Sequence, residues 1–262
     1  MQYDPGEIRA SEKQLEEIFQ KLEEPICLLG GWAVYHIVNN NFEKANGRSY
    51  IGSRDIDIGF HIEPNWTEPQ LQNSNFASAI NTLELLGFRS ISFRLVKDFD
   101  TDTGRELTTI ESAKLPLYQI FQLFVDPIVD FIHPKIKELL GFVPIDEPLL
   151  SHLFQNKRYT VTALYDRKVM LPKPEVLLAM KLNSVLNRDK EHKRIKDIAD
   201  IYALLWYSDT PLPELKNQLS AIHSEKQTKE TVRTFSEENI NEVSRAIGVN
   251  SKEISRVLME LT

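Results

Sequence analysis

Cysteine is almost absent from this chain, since Cys27 is the one cysteine in 262 residues. A single cysteine cannot build a disulfide framework within one chain, which excludes the class of small secreted proteins held together by disulfides. Residues 1–13 also lack the apolar core of a signal peptide. We therefore expect Cys27, which lies in an apolar run, to be a small core residue of a protein that works in the reducing cytoplasm.

Long hydrophobic runs are missing as well. Residues 115–132 come nearest, but Asp126, Asp130, two glutamines and two prolines interrupt them, so we expect no membrane span. The net charge of −7 provides no basic excess for wholesale nucleic-acid binding. What the composition does contain, 42% hydrophobic and 26% charged residues, is typical of a globular protein with a proper core.

The segment YIGSRDIDIGF (residues 50–60) carries two carboxylates, Asp55 and Asp57, in an otherwise β-type sequence. Residues two apart on a strand point to the same face, where two carboxylates repel each other unless a cation lies between them. Carboxylate oxygens favour Mg²⁺ or Mn²⁺ over zinc. The pattern therefore indicates a metal site. The alternative, a strand with a solvated acidic face, is disfavoured by the apolar residues on either side.

A glycine pair, Gly30-Gly31, stands between an apolar segment and a helical pattern at residues 32–40. Glycines at the turn into a helix let backbone N–H groups approach a phosphate, and the helix N-terminus favours its negative charge. A glycine pair alone more often marks a tight turn. Its combination with a Ser-x-Asp-x-Asp segment further along the chain favours the phosphate-binding interpretation.

Together, these two segments resemble the signature of the nucleotidyltransferase superfamily. The resemblance implies an α/β (α+β) fold, with a nucleotidyltransferase-type mixed sheet, flanking helices and a following helical lobe. It assigns Gly30, Gly31 and Ser53 to the triphosphate of an NTP. It assigns Asp55 and Asp57 to catalysis and to the metal ions.

A third carboxylate on a neighbouring strand is usual in two-metal chemistry. Asp126 and Asp130, in FVDPIVDFIHP, are the candidates; on one continuous strand they would share a face, but Pro127 between them is able to break it. We favour Asp130, because Val129 and Phe131 flank it as in a buried strand, and keep Asp126 as the other candidate ligand. In the superfamily this residue binds a metal and takes the proton from the attacking hydroxyl.

The order of the elements predicts two domains. Strands alternate with short helices up to residue 172, and the remainder is helical almost throughout. We expect an α/β nucleotidyltransferase domain over residues 1–172 and a helical domain over residues 173–262. Within the first, apolar periodicity predicts helices at 9–23 and 76–86 and strands at 26–29, 50–60, 88–96 and 117–132.

A second resemblance lies in the helical region. The stretch from LPKPEVLLAMKLNSVLNR to KRIKDIADIYALL is similar to the pattern that follows the sheet in AbiEii-type nucleotidyltransferases, the toxins of type IV toxin–antitoxin pairs. The pattern maps onto Lys181, Arg188, Lys196, Asp197 and Asp200. It implies that Lys181 and Arg188, which we expect on one helical face, steady the triphosphate, and that an antitoxin partner exists. The alternative is that Lys181 only completes a helix surface.

This chain departs from the toxin pattern at two positions. Trp32 follows the glycines where the pattern has small residues, and Gly52 precedes Ser53 where the pattern has a basic residue. These departures bear on the identity of the acceptor rather than on the chemistry.

The last segment, residues 239–261, has the spacing of a helix-turn-helix with Gly248 at the turn. Its second helix carries Lys252 and Arg256 but also Glu253, and direct DNA readout needs more positive charge. We expect a packed helical hairpin and no DNA binding.

These patterns predict a nucleotidyltransferase that uses an NTP and Mg²⁺ or Mn²⁺ and releases pyrophosphate. The acceptor stays open among an RNA such as tRNA, a protein and a small molecule. One alternative is a catalytically silent module that binds nucleotide or RNA, or a protein that partners an antitoxin. Another is a DNA-binding regulator that uses the C-terminal helices.

Overall fold

The apolar runs of residues 26–172 form the strands of one mixed β-sheet. The structure, a computed structural model, describes residues 4–262. These residues divide into two units, which we describe separately. The sheet unit comprises residues 4–32 and Gly52–Leu171, and the helical unit comprises Ala33–Ile51 and Pro172–Thr262.

The strands follow one another along the chain as β1 (Ile26–Leu29), β2 (Ile56–Phe60), β3 (Arg89–Ile91), β4 (Arg94–Asp100), β5 (Glu106–Leu107), β6 (Ile120–Val129), β7 (Ile145–Asp146), β8 (Tyr159–Leu164) and β9 (Arg167–Pro172). Their order in the sheet is β3-β4-β6-β2-β1-β9-β8, with β5 beside β4 and β7 beside β6. Strand β2 is parallel to β6 and antiparallel to β1. The central strands are apolar on their inward positions, and Leu28, Ile58 and Val125 are at most 1% exposed.

Polar side chains cap the N-termini of several of the helices, and some helices end at glycines. They are α1 (Pro5–Lys21), α2 (Gly30–Asn46), α3 (Glu68–Gln72), α4 (Asn75–Leu85), α5 (Thr109–Ser112), α6 (Ile136–Leu140), α7 (Leu149–Gln155), α8 (Pro174–Val185), α9 (Glu191–Tyr207), α10 (Leu212–Ser220), α11 (Glu225–Arg233), α12 (Glu237–Ile247) and α13 (Ser251–Met259). The predicted apolar face of α1 is confirmed, since Leu15, Ile18 and Phe19 are fully buried. The helix starts earlier than predicted because Asp4 caps it and Pro5 occupies its first turn.

Two predicted strands are wrong in detail. The strand predicted over residues 50–60 is restricted to β2, so Asp57 lies on the strand and Asp55 lies just before it. The strand predicted over residues 88–96 is a hairpin, because the chain turns at Ser92, which has a φ of 59°. The sequence has no glycine or asparagine at this turn, so the turn was not predicted. Its consequence is that Arg94 becomes the first residue of β4.

The long apolar stretch predicted as strand over residues 117–132 contains β6, but residues 117–119 form a 3₁₀ turn and the strand ends at Val129. Pro127 does not interrupt this strand, whose pairing with β2 continues through it. No helix within residues 4–262 is long and apolar enough to cross a membrane.

The predicted helical hairpin at the C-terminal end is confirmed as α12 and α13. Gly248 ends α12 in the left-handed region, with a φ of 57°. A Cβ atom at this position would overlap the guanidinium of Arg48, which donates a hydrogen bond to the carbonyl of Ile247. On α13, Arg256 stacks over the ring of Trp206, with 4.8 Å from Cζ to the ring centroid. The turn and one of the basic residues of this hairpin are therefore engaged within the helical unit.

Candidate active site

The pairing of β2 with β6 brings two carboxylates side by side. In the parallel register of these strands Asp57 is opposite Asp126, and on the other side Asp57 is opposite Leu29 of β1. Residues directly opposite each other on neighbouring strands point to the same face of the sheet, with their Cβ atoms about 5 Å apart. Asp57 and Asp126 therefore lie on one face of the two central strands.

The glycine pair lies at the same place, because β1 leads directly into α2 at Gly30. This residue has a φ of 60°, and a Cβ atom on it would overlap the carboxylate of Asp57. A side chain at position 30 is thus excluded both by backbone conformation and by space. The carboxylate of Asp57 consequently lies against the N-terminus of a 17-residue helix, whose dipole favours a negative charge.

The two departures from the toxin pattern are in contact with each other. A Cβ atom on Gly52 would be 2.7 Å from Cη2 of Trp32 and 2.8 Å from Cγ2 of Ile8. The indole of Trp32 is 1% exposed and donates a hydrogen bond to Oγ of Ser11, at 3.0 Å. The large side chain of Trp32 therefore leaves room only for glycine at position 52, directly before Ser53.

Ser53 and Arg54 belong to the loop that leads into β2. Ser53 is half-buried there. Arg54 points to α1, where its Nε lies 2.9 Å from Oε2 of Glu7, and its guanidinium lies 5.4 Å from the centroid of Phe121. This ion pair links the loop to α1.

Arg94 is a site residue that the sequence analysis missed. It donates two hydrogen bonds to Asp126, from Nε to Oδ1 at 2.7 Å and from Nη2 to Oδ2 at 2.6 Å. Its Nη2 also donates to Oδ2 of Asp55, at 3.3 Å. Burial alone would lower the pKa of Arg94, but Asp126 and, more weakly, Asp55 and Asp57 outweigh it and raise that pKa. We refer to Asp55, Asp57, Asp126 and Arg94 as the carboxylate cluster.

Asp130 lies away from these residues. It is four residues beyond Asp126, or roughly 13 Å at the rise of an extended strand. Its Oδ1 accepts a hydrogen bond from the backbone N–H of Ile62 at 2.8 Å, and its Oδ2 contacts Nδ1 of His61. Burial alone would lower the pKa of His61, but Glu63 and Asp130 outweigh it and raise that pKa. Asp130 is thus engaged at the end of β6 rather than beside Asp57.

The donors of the carboxylate cluster are of the chemical type that binds a divalent metal. It offers carboxylate oxygens from adjacent segments, which is the ligand set that Mg²⁺ and Mn²⁺ prefer. Among residues 4–262, no three acidic, histidine or cysteine side chains are arranged closely enough to hold a metal ion. In the carboxylate cluster, the guanidinium of Arg94 lies between two of the three carboxylates.

A second group of charges lies in the helical unit, and we call it the buried ion network. It consists of Lys181, Arg188, Lys196, Asp197 and Asp200. Nζ of Lys181 lies 2.7 Å from both Oδ1 of Asp197 and Oδ2 of Asp200. Lys196 also pairs with Asp200, and the hydroxyl of Tyr50 donates to Oδ1 of Asp200 at 2.9 Å. The side chains of the two aspartates are at most 2% exposed.

The two residues predicted to steady the triphosphate both contact Asp197. Helix α8 ends at Val185, so Arg188 does not share a helical face with Lys181 as predicted, but its Nε reaches Oδ2 of Asp197 at 2.6 Å. Burial alone would raise the pKa of Asp197, but Lys181 and Arg188 outweigh it and lower that pKa. Burial lowers the pKa of Lys196 although Asp200 opposes this. The predicted residues therefore converge, but on a carboxylate of their own unit.

A mixed sheet with acidic residues on two central strands, and a glycine pair where a neighbouring strand enters a helix, is the arrangement expected of a nucleotidyltransferase fold. A sequence model of the family described as "Nucleotidyl transferase AbiEii toxin, Type IV TA system" matches residues 52–250. The chain belongs to the AbiEii nucleotidyltransferase family. The resemblance found in the sequence is thereby confirmed.

Comparison with solved structures finds an antigenic nucleotidyltransferase-like protein from Paracoccidioides brasiliensis, known from a crystal structure. It is 15% identical to this chain, and the match covers 92% of this chain and 94% of that one, with a TM-score of 0.44. No curated protein sequence matches the chain significantly.

Proposed function

We propose that this protein transfers a nucleoside monophosphate from an NTP to an acceptor hydroxyl. The hydroxyl oxygen attacks the α-phosphorus, the bond from that phosphorus to the β-phosphate oxygen breaks, and pyrophosphate leaves. The observation that carries the proposal is the position of Asp57, which lies opposite Asp126 on the sheet and against Gly30 at the start of α2. Family membership supports the same chemistry.

Asp55 and Asp57 are the residues we propose to hold Mg²⁺ or Mn²⁺. A bound divalent cation would neutralise charge on the phosphates and lower the pKa of the attacking hydroxyl. The N–H groups at the beginning of α2, at Gly30 and Gly31, favour a phosphate beside the metal ligands. Ser53, in the adjoining loop, is proposed as a further phosphate contact.

The third carboxylate, which would accept the proton of the attacking hydroxyl, is proposed to be Asp126. Its register opposite Asp57 supports this choice over Asp130, which the sequence pattern favours. Asp130 bonds instead to the backbone of Ile62 and to His61. The variants Asp126→Asn and Asp130→Asn distinguish the two candidates, because only replacement of the proton acceptor should abolish the chemical step.

Phosphate binding by Lys181 and Arg188 stays a prediction. Both contact Asp197, so a nucleotide would have to share them with that carboxylate. Following the family's description, we further propose that the protein works as a toxin in the cytoplasm and is paired with an antitoxin. An RNA such as tRNA or a protein is the proposed acceptor.

The test is label transfer. Purified protein is incubated with each α-labelled NTP, Mg²⁺, and either total RNA or a cell extract. We expect label on one fraction, and a loss on the order of 1000-fold in the Asp55→Ala/Asp57→Ala variant, since both proposed metal ligands are removed. The matched control is Asp100→Ala/Asp102→Ala, which removes an equally spaced pair from the end of β4 and the turn that follows it, and should keep the activity.

A catalytically silent nucleotide-binding module is the second candidate. The observation that favours it is the bidentate contact of Arg94 with Asp126, which supplies a protein cation where catalysis needs a metal. Nucleotide binding without pyrophosphate release, in a protein that labels neither RNA nor protein, would favour this candidate over transfer. Equal transfer by the wild type and Asp55→Ala/Asp57→Ala would contradict the proposed site.

A further inference from the structure

The hairpin of β3 and β4, which the sequence pattern did not predict, places Arg94 in the carboxylate cluster. The turn at Ser92 starts β4 at Arg94, and the antiparallel register puts the next residue, Leu95, opposite Val125 of β6. The side chain of Arg94 therefore emerges beside that of Asp126. Because Asp126 is opposite Asp57 on the other side, one row of the sheet carries a guanidinium and two carboxylates.

The guanidinium is held firmly at this position. Both oxygens of Asp126 accept from it, at 2.7 and 2.6 Å, in the planar bidentate geometry that arginine forms with carboxylates. Its Cζ lies 4.0 Å from the centroid of the Phe124 ring, which is close cation–π contact. The side chains of Arg94 and Asp126 are only 18% and 10% exposed, so water screens their attraction weakly.

The same contacts limit what the carboxylates can offer to a metal. A ligand oxygen of Asp126 would have to give up or share a charge-assisted hydrogen bond, and so would Oδ2 of Asp55, which lies 3.3 Å from Nη2 of Arg94. A positive charge between the two also repels an incoming divalent cation. Arg94 and a metal ion thus compete for the same oxygens.

We propose that Arg94 is the resident counter-ion of the carboxylate cluster, and that it competes with a divalent cation for Asp126 and Asp55 and thereby sets the metal affinity of this protein. The proposal rests on the proposed function, because it takes Asp55 and Asp57 as metal ligands and Asp126 as the third carboxylate of the site. Arg94 is a positioning residue here. It holds Asp126 in place when no metal is bound, and must yield when a metal binds.

The test measures Mn²⁺ binding to the full chain, without nucleotide, by titration calorimetry and by the electron paramagnetic resonance signal of free Mn²⁺. Arg94→Gln should bind Mn²⁺ about tenfold more tightly than the wild type, as a bidentate charged contact no longer has to be broken. The matched control is Arg54→Gln, which removes the same charge next to Asp55 but from a residue that pairs with Glu7. A change of less than about threefold is expected there, because Arg54 repels the cation only at long range, where salt screens the interaction.

Arg94→Lys keeps the charge but loses the planar fork, and should give an intermediate affinity. It also carries the test if Arg94→Gln does not fold, which circular dichroism will show. Unchanged or weaker Mn²⁺ binding in the folded Arg94 variants, or an equal gain in Arg54→Gln, would overturn the proposal.

The proposed function fails separately from this inference. If wild type and Arg94→Gln bind Mn²⁺ equally and Asp55→Ala/Asp57→Ala abolishes binding, the metal site stands and the competition is refuted. If Asp55→Ala/Asp57→Ala binds Mn²⁺ as well as the wild type and still transfers label, the assignment of the site itself is wrong.

Discussion

The carboxylate cluster and the buried ion network contain the same kinds of group in opposite proportions. As defined above, the carboxylate cluster has three carboxylates and one guanidinium, whereas the buried ion network has two carboxylates and three cations. The side chains of Asp55 and Asp126 are 21% and 10% exposed, whereas those of Asp197 and Asp200 are at most 2% exposed. The more exposed carboxylates belong to the site that we propose to bind a cation, whereas the buried ones hold helices together.

The largest expected effect is in the buried ion network. The side chain of Asp200 is fully buried, with 0% exposure. The variant Asp200→Asn therefore leaves Lys181 and Lys196 buried without the carboxylate that both contact. Loss of one partner from a buried ion group costs about 3–5 kcal/mol in the free energy of unfolding. Chemical denaturation of both proteins measures this value. A cost below about 1 kcal/mol would show that the network is not a structural support.

Lowering the pH should change the stability of the two units in opposite directions, because the pKa shifts of their histidines have opposite signs. Burial lowers the pKa of His36, in the helical unit, to about 4, whereas the pKa of His61 in the sheet unit is raised. An unfolded histidine titrates near 6.5, so the contribution of neutral His36 is complete above that pH and is lost as the pH falls toward 4. At about pH 5 we expect a loss of about 2 kcal/mol in the free energy of unfolding.

Denaturation of the wild type and His36→Gln at neutral pH and at about pH 5 isolates this contribution. The glutamine variant should lack the acid-dependent loss of about 2 kcal/mol, whatever its own stability at neutral pH. Identical pH dependence in the two proteins would contradict the assignment to His36.

A smaller effect is expected from the equivalent asparagine exchange in the carboxylate cluster. Asp57→Asn removes a charge that the start of α2 attracts but that Asp126 repels across the sheet. These terms oppose each other, so the free energy of unfolding without divalent metal should change by less than about 1 kcal/mol. Measured beside Asp200→Asn, the exchange contrasts the two clusters directly. A loss as large as that of Asp200→Asn would remove the distinction between them.

The smallest effect is expected for an exposed ion pair, which serves as the reference for both charge clusters. Lys226 and Glu230 form an exposed pair on α11, with 3.9 Å between Nζ and Oε1. Lys226→Ala should change the free energy of unfolding by less than about 0.5 kcal/mol, because water and salt screen such a pair. A larger change would mean that the surface charges of this protein cannot serve as a reference for the buried ones.

Local pattern alone predicted much of this protein. Apolar periodicity located α1, β6 and the C-terminal hairpin, and the spacing of glycines and aspartates indicated the family. These features are readable because capping, strand alternation and the backbone freedom of glycine act over a few residues. The proposed metal ligands Asp55 and Asp57 belong to the same local pattern, and their role remains a prediction.

The partners of those residues were decided by the tertiary structure. Asp126 lies opposite Asp57 because β2 and β6 pair in parallel. Arg94 reaches Asp126 because a turn that the sequence pattern did not predict precedes β4, which pairs with β6. Such register depends on how distant segments of the chain pack, which no periodicity along the sequence records. The sequence by itself thus determined which chemical groups this protein carries, and the sheet decided which of them meet.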